Sequence, residues 1–327
     1  MAAKVQFAFE LELCLKGREN WPNLPLAPSE NWMSLSNSLF EALRASFPDS
    51  NQKTSATNDF GTWCITESPR NVAWFRIISP KFDFDSRKKW IDELSTMCDV
   101  IQSNGCRPSR YWSGKIHVTS PGISLDQTKG LAKTVMQHNN GFSKLHRVLC
   151  QPNVSLSAAD LNPMADLERI GASYMTRVDI TGDIRGLASW MNGESPIKPD
   201  PNRIWNFWPL VYTMKPPFYE GHRRTNFIEY TFEPKDFDSA CARTWVNFVC
   251  LFVEGALRHQ GCWTGAYNPP KTGNFMFPER FLLRFILDQA RDPDVSRPEP
   301  VTDEEEEDII ALLDCVFDSE TGEVLRN

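Results

Sequence analysis

Between Val5 and Leu15 apolar and polar residues alternate along the chain. Val5, Phe7, Phe9, Leu11, Leu13 and Leu15 fall on one side of an extended backbone, and Glu10 and Glu12 on the other. The alternation predicts a strand with one buried face. It sets two carboxylates roughly 6.5 to 7 Å apart along that strand, a spacing at which both acids can serve one cation or two adjacent ones. A half-solvated strand with two surface acids has the same pattern.

Apolar residues at helical spacing predict helices over 32–47, 86–103, 125–139, 142–149 and 236–259. Pro48 stops the first, Asn104-Gly105 ends the second, and Trp245, Phe248, Val249, Phe252 and Ala256 form the buried stripe of the last. Strands are expected over 62–66, 72–79, 115–119, 177–180 and 226–232, with loops over 17–31 and 48–61 and a Pro-rich connection over 190–204. The elements follow no regular βαβ rhythm, and no G-x-G-x-x-G or G-x-x-x-x-G-K-[ST] loop is present. The fold class expected is therefore α+β, with an antiparallel or mixed sheet and helices packed on one side.

Residues 1–290 read as one domain and 291–327 as an acidic linker followed by an amphipathic helix. In that tail Asp303-Glu304-Glu305-Glu306-Glu307-Asp308 precedes Ile309-Ile310-Ala311-Leu312-Leu313, and acids at a helix start are favoured by the helix dipole. The segment is expected to be a solvated cap or a helix that docks a partner.

Composition narrows the partners. The chain has 327 residues, 41% of them hydrophobic and 12% aromatic, enough for a sizeable core to which Trp205, Phe207 and Trp208 belong. A net charge of -7 without a basic stripe disfavours nucleic acid. Nine cysteines, an odd number without C-x-x-C spacing, point to a reducing compartment. The apolar start is broken by Glu10 and Glu12, unlike a secretory signal, and no apolar window reads as a membrane span, so the expected location is cytoplasmic with no membrane partner. His138, His146, His222 and His259 lack zinc-ligand spacing, and no G-x-S-x-G elbow occurs.

Polar residues recur at alternating positions in the other strands: Thr66-Glu67 after Trp63-Cys64-Ile65, Arg76 before Ile77-Ile78-Ser79-Pro80, Lys115 and His117 in Lys115-Ile116-His117-Val118, and Glu229 beside Thr231 and Glu233. With Phe9-Glu10-Leu11-Glu12 at the start, and Phe142-Ser143-Lys144-Leu145-His146-Arg147 and Phe227-Ile228-Glu229-Tyr230-Thr231 later, six fragments stand in order across about residues 5 to 260. In order and spacing they resemble the motifs of the amidoligase family, abundant in fungi and grouped with carboxylate-amine ligases related in fold to glutamine synthetase.

The resemblance implies a glutamine-synthetase-like fold and ATP- and Mg-dependent amide formation. A carboxylate would be phosphorylated by ATP, and an amine would displace phosphate from the acyl phosphate. Small-molecule or peptide carboxylates and amines would be the substrates; no oligomeric state is implied. Carried over by position, Glu10, Glu12 and Glu229 would hold metal, His117 and Glu229 would act in catalysis, and Lys115, Arg76 and Glu67 would contact the nucleotide.

The chain departs from the family pattern at charged positions. Arg76 stands where the V-E-I-I-S-P motif has an acid, Lys115 where G-x-H-V-H-V has its first histidine, and Thr231 where T-I-E-F-R has its arginine. Two readings follow: an active ligase, or a catalytically degenerate member that keeps the fold as a binding or scaffold module, with Arg76 and Lys115 paired to the acids.

Overall fold

The computed structural model describes residues 4–15, 32–53, 60–67, 75–108, 114–149, 176–192, 204–211, 227–232, 238–258, 278–291 and 300–314. The first strand forms as the alternation predicts: β1 (Gln6–Leu15) turns Phe7, Phe9, Leu11 and Leu13 into the core. It is the axis of the sheet, because its ten residues are long enough to pair with two strands along each side.

The other strands are β2 (Asn51–Lys53), β3 (Cys64–Glu67), β4 (Phe75–Ile78), β5 (Phe82–Asp83), β6 (Cys106–Pro108), β7 (Gly114–Thr119), β8 (Trp205–Asn206) and β9 (Ile228–Phe232). Among the described residues they form one nine-stranded sheet in the order β2-β3-β4-β1-β7-β9-β8, with β5 and β6 pairing the two ends of β1. All pairings are antiparallel except β2 with β3. The chain is thus α+β, built on an open, mainly antiparallel sheet.

The helices are α1 (Trp32–Ser46), α2 (Arg87–Ser103), α3 (Leu125–Leu149), α5 (Ile184–Asn192), α6 (Ser239–Arg258), α7 (Pro278–Ala290) and α8 (Asp303–Asp314), with a short helix α4 at 176–180. The apolar sheet face packs on three of them. Phe7 meets Trp90 of α2 edge-on at 5.4 Å, Tyr230 meets Phe142 of α3 at 6.0 Å, and Phe232 lies 5.5 Å from Trp245 of α6. Trp205, Phe207 and Trp208 are buried, as their clustering predicts.

One close approach explains a glycine. Gly114 starts β7 opposite Phe232, and a Cβ there would sit 2.4 Å from the Phe232 ring, itself held between Phe9 and Trp245.

Several elements differ from the sequence expectation. Residues 177–180 are helical rather than extended. The helices expected at 125–139 and 142–149 are one continuous α3, because Gly141 and Phe142 pack inward and carry the turn through. α7, α5 and the strands β2, β5, β6 and β8 escape the sequence reading. The four strands have only two or three residues each, too few to express a period.

Among the described helices α6 alone has the length and hydropathy of a membrane span, and 83% of that window is buried inside the molecule. Its apolar surface faces the core. The six described cysteines are thiols rather than disulfides. Burial pushes the Cys106 thiol up to about 11 and raises those of Cys98 and Cys250 well above their ordinary range, helped at Cys98 by the charge of Asp238 and at Cys250 by that of Glu254.

The acidic tail helix is not a solvated cap. α8 packs on α6 and α7, with Glu305 and Ile309 buried. Arg87 of α2 donates from Nη2 to Glu305 and to Asn247 Oδ1 (3.0 Å), Arg243 of α6 donates to Glu304 (3.0 Å) and Asp308 (2.6 Å), and Arg291 donates to Glu306 (2.7 Å). Thr302 and Glu305 form a reciprocal cap: the Thr302 amide donates to Glu305 Oε2 (2.9 Å), and the Glu305 amide donates to Thr302 Oγ1 (3.3 Å).

Candidate functional site

Pleating assigns the second sheet face its residues. Opposite the apolar face stand Thr66 on β3, Arg76 on β4, Glu10 and Glu12 on β1, Lys115 and His117 on β7, Glu229 and Thr231 on β9, and Asn206 on β8. Antiparallel pairing sets Thr66 opposite Arg76, Arg76 opposite Glu12, Glu10 opposite Lys115, and Glu229 opposite both His117 and Asn206. The dispersed polar positions of the sequence therefore meet on one surface. That surface is enclosed: Glu10, Arg76, His117 and Glu229 are all buried.

A chain of polar contacts crosses five neighbouring strands. Arg76 Nη1 donates to Glu10 Oε1 at 2.9 Å, and His117 Nε2 lies 2.9 Å from Glu10 Oε2. An ionised carboxylate only accepts, so His117 Nε2 carries a hydrogen. On its other side His117 Nδ1 faces Glu229 Oε1 at 3.6 Å. Glu229 Oε2 accepts from Lys115 Nζ (3.2 Å) and from Asn206 Nδ2 (2.9 Å).

The charges tune one another. Burial alone would raise the Glu10 carboxyl, but the Arg76 charge and the His117 hydrogen bond outweigh it and hold it well below the usual carboxylate range. Burial works the same way on Glu229, and the charges of Lys115 and His117 reverse it, so this carboxyl is also lowered. Arg76 and Lys115 are held in their charged forms against burial, Arg76 chiefly by Glu10 with help from Glu12 and Glu229, Lys115 chiefly by Glu229.

The structure brings together six of the seven expected site residues: Glu10, Glu12, Arg76, Lys115, His117 and Glu229. The seventh, Glu67, pairs through its backbone with Phe75 at the end of β3, and its side chain lies outside the described residues, as do those of His146 and Glu233. Among the described residues no three His, Cys, Asp or Glu side chains are gathered as the ligands of a metal ion.

Asn206 was hidden in the Trp205-to-Trp208 aromatic run, because β8 is only two residues long and expresses no alternation. Asn192 of α5 fixes the short strand around it, donating to Trp205 O at 2.6 Å and accepting from the Phe207 amide at 2.8 Å. Phe60, within the expected loop 48–61, and Phe227, at the head of the Phe227-to-Thr231 fragment, flank His117. Their rings lie 5.1 and 6.1 Å from the His117 imidazole and 4.7 Å from each other. The serine of Ile77-Ile78-Ser79-Pro80 is structural: its Oγ accepts from the Phe9 amide (2.7 Å) and donates to Pro80 O (2.7 Å), which extends the β4–β1 contact.

Compared with known proteins, the chain matches no family model and no curated protein.

Proposed function

We propose that this chain is an amidoligase-like protein in which the position for nucleotide-bound metal has become an internal ion-pair network, and that it acts as a binding or scaffold module. Glu10 carries this reading. One of its oxygens accepts from Arg76 and the other is bonded to His117, each at 2.9 Å, while Lys115 pairs with Glu229. Two of the three acids expected to hold Mg²⁺ are thus bonded to protein cations. A guanidinium about 4 Å from a divalent ion, at an effective dielectric near 20, opposes it by roughly 8 kcal/mol. These residues, so arranged, do not fit Mg·ATP.

A calorimetric titration of the intact chain with Mg·ATP tests the proposal. No binding is expected. Saturable, Mg-dependent binding that is lost in Glu12→Gln would overturn it.

That outcome would favour the second reading, an ATP-dependent carboxylate-amine ligase acting on small-molecule or peptide carboxylates and amines. Its support is the convergence of Glu10, Glu12 and Glu229 with His117 on one sheet face, beside Lys115, whose side chain is 38% exposed. In that enzyme Glu10, Glu12 and Glu229 would hold the metal, and Lys115 and Arg76 would be the cations available to the phosphates.

A further inference from the structure

Arg76 uses one edge of its guanidinium and leaves the other idle. Nη1 donates to Glu10, but Nε and Nη2 are shielded from solvent and have no hydrogen-bond partner among the described residues. The Nε–H and the outer Nη2–H of an arginine point the same way and form a planar fork, whose spacing matches the two oxygens of a carboxylate or phosphoryl group.

Directly opposite Arg76 in the β3–β4 register stands Thr66, 1% exposed, and its Oγ1 also has no hydrogen-bond partner among the described residues. Two adjacent residues on one sheet face therefore present three buried, unsatisfied polar atoms. Buried donors of this kind each cost about 1–3 kcal/mol when left without an acceptor. Sequence neighbours do not relieve the pair, because Ile65 and Ile77 turn to the apolar face.

We propose that Arg76 and Thr66 form an oxyanion site, with the Arg76 Nε/Nη2 fork gripping two oxygens and the Thr66 hydroxyl donating beside it. The ligand class is a small molecule ending in a carboxylate or phosphoryl group. The remaining charges suit this. Glu10 holds the inner edge of the guanidinium and orients the fork, while Lys115 supplies a second cation on the same face. Glu12, opposite Arg76 on β1 with a buried Oε2, puts a negative charge beside the site that any bound anion must overcome, and the two hydrogen bonds of the fork, which a monatomic ion cannot accept together, are what outweigh it. The inference rests on the binding-module reading and names what that module takes.

The test uses the full chain with EDTA present, so that metal-dependent binding plays no part. Thermal unfolding and calorimetry are followed on adding sodium acetate or sodium phosphate, with sodium chloride at matched ionic strength as the control. Acetate or phosphate is expected to raise the unfolding midpoint in a saturable way that chloride does not reproduce. A response to acetate marks a carboxylate ligand, and a response to phosphate alone marks a phosphoryl one. Arg76→Lys, which keeps the charge and loses the fork, and Thr66→Val, which removes only the hydroxyl, should each weaken that response about tenfold or more, the consequence of losing one charge-assisted hydrogen bond.

A wild-type chain that responds to neither salt beyond chloride overturns the oxyanion site and leaves the Mg·ATP titration as the separate arbiter of the module reading. Equal responses in wild type and Thr66→Val overturn it as well, even where Arg76→Lys does not fold.

Discussion

Arg76 stands directly opposite Glu12 in the β1–β4 register, yet it gives its Nη1 hydrogen to Glu10, the diagonal neighbour on the same face. The diagonal choice binds β4 to the same carboxylate that holds His117 on β7, so one acid ties together three strands. Removing Arg76 strands that acid. Arg76→Met should destabilise the fold by about 3–5 kcal/mol, the cost of leaving one member of a buried pair unpaired. Arg76→Lys should lose less, because a cation remains. Urea midpoints of the two variants measure the difference, and equal losses would show that packing rather than charge holds the site.

Acid should weaken the protein in two stages. His138 is buried against Phe252 and Phe285, and burial lowers its pKa to about 3. Since the unfolded chain takes up this proton near pH 6.5 and the folded chain does not, stability is complete above that pH and falls below it by about 1.4 kcal/mol per pH unit. Glu10 and Glu229 have folded pKa values below their ordinary range, so their contribution is present above about pH 4.3 and is lost as pH falls further. Chemical denaturation between pH 4.5 and 7 should therefore show a slope in wild type that His138→Phe flattens, while the steeper loss at lower pH persists in that variant.

Gly114 has no room for a methyl group. The Phe232 ring, 2.4 Å from the place of a Cβ, is fully buried and cannot swing aside without disturbing Phe9 and Trp245. Gly114→Ala should cost about 1–3 kcal/mol by overpacking, read as a lowered unfolding midpoint. Gly114→Ala combined with Phe232→Leu should recover part of it; no recovery would mean that backbone conformation sets the requirement.

Arg87 holds the acidic helix down. Its guanidinium lies 5.3 Å from the rings of both Phe84 and Trp90 and is bonded to Glu305. Arg87→Met should cost about 3 kcal/mol or more and should speed amide exchange in 303–311 above all other helices. Uniform exchange across α6, α7 and α8 would instead show that the three helices open as a unit.

The strong periodicities were legible in the sequence, and the site followed from them. Once Glu10 and Glu12 are placed opposite Phe9 and Leu11, the pleat of the neighbouring strands sends Arg76, His117 and Glu229 to the same face. The partners of each acid were not legible, because register rather than composition decides whether Arg76 meets Glu10, Glu12 or Glu67. Asn206 was missed because two residues cannot display alternation, and α7 because Pro278 and its charged first turn masked the Leu282 and Ile286 stripe. The tail helix itself was legible but its docking was not: an acidic helix start announces its affinity for the dipole, while Arg87 and Arg243, which hold it, lie far away in sequence.

The enclosed thiols give the molecule a built-in clock. Cys98 on α2 and Cys250 on α6 lie within the core and stay protonated there. A thiol-reactive dye therefore meets them only when those helices part, and labelling at these two positions times the breathing of the interior without any engineered label.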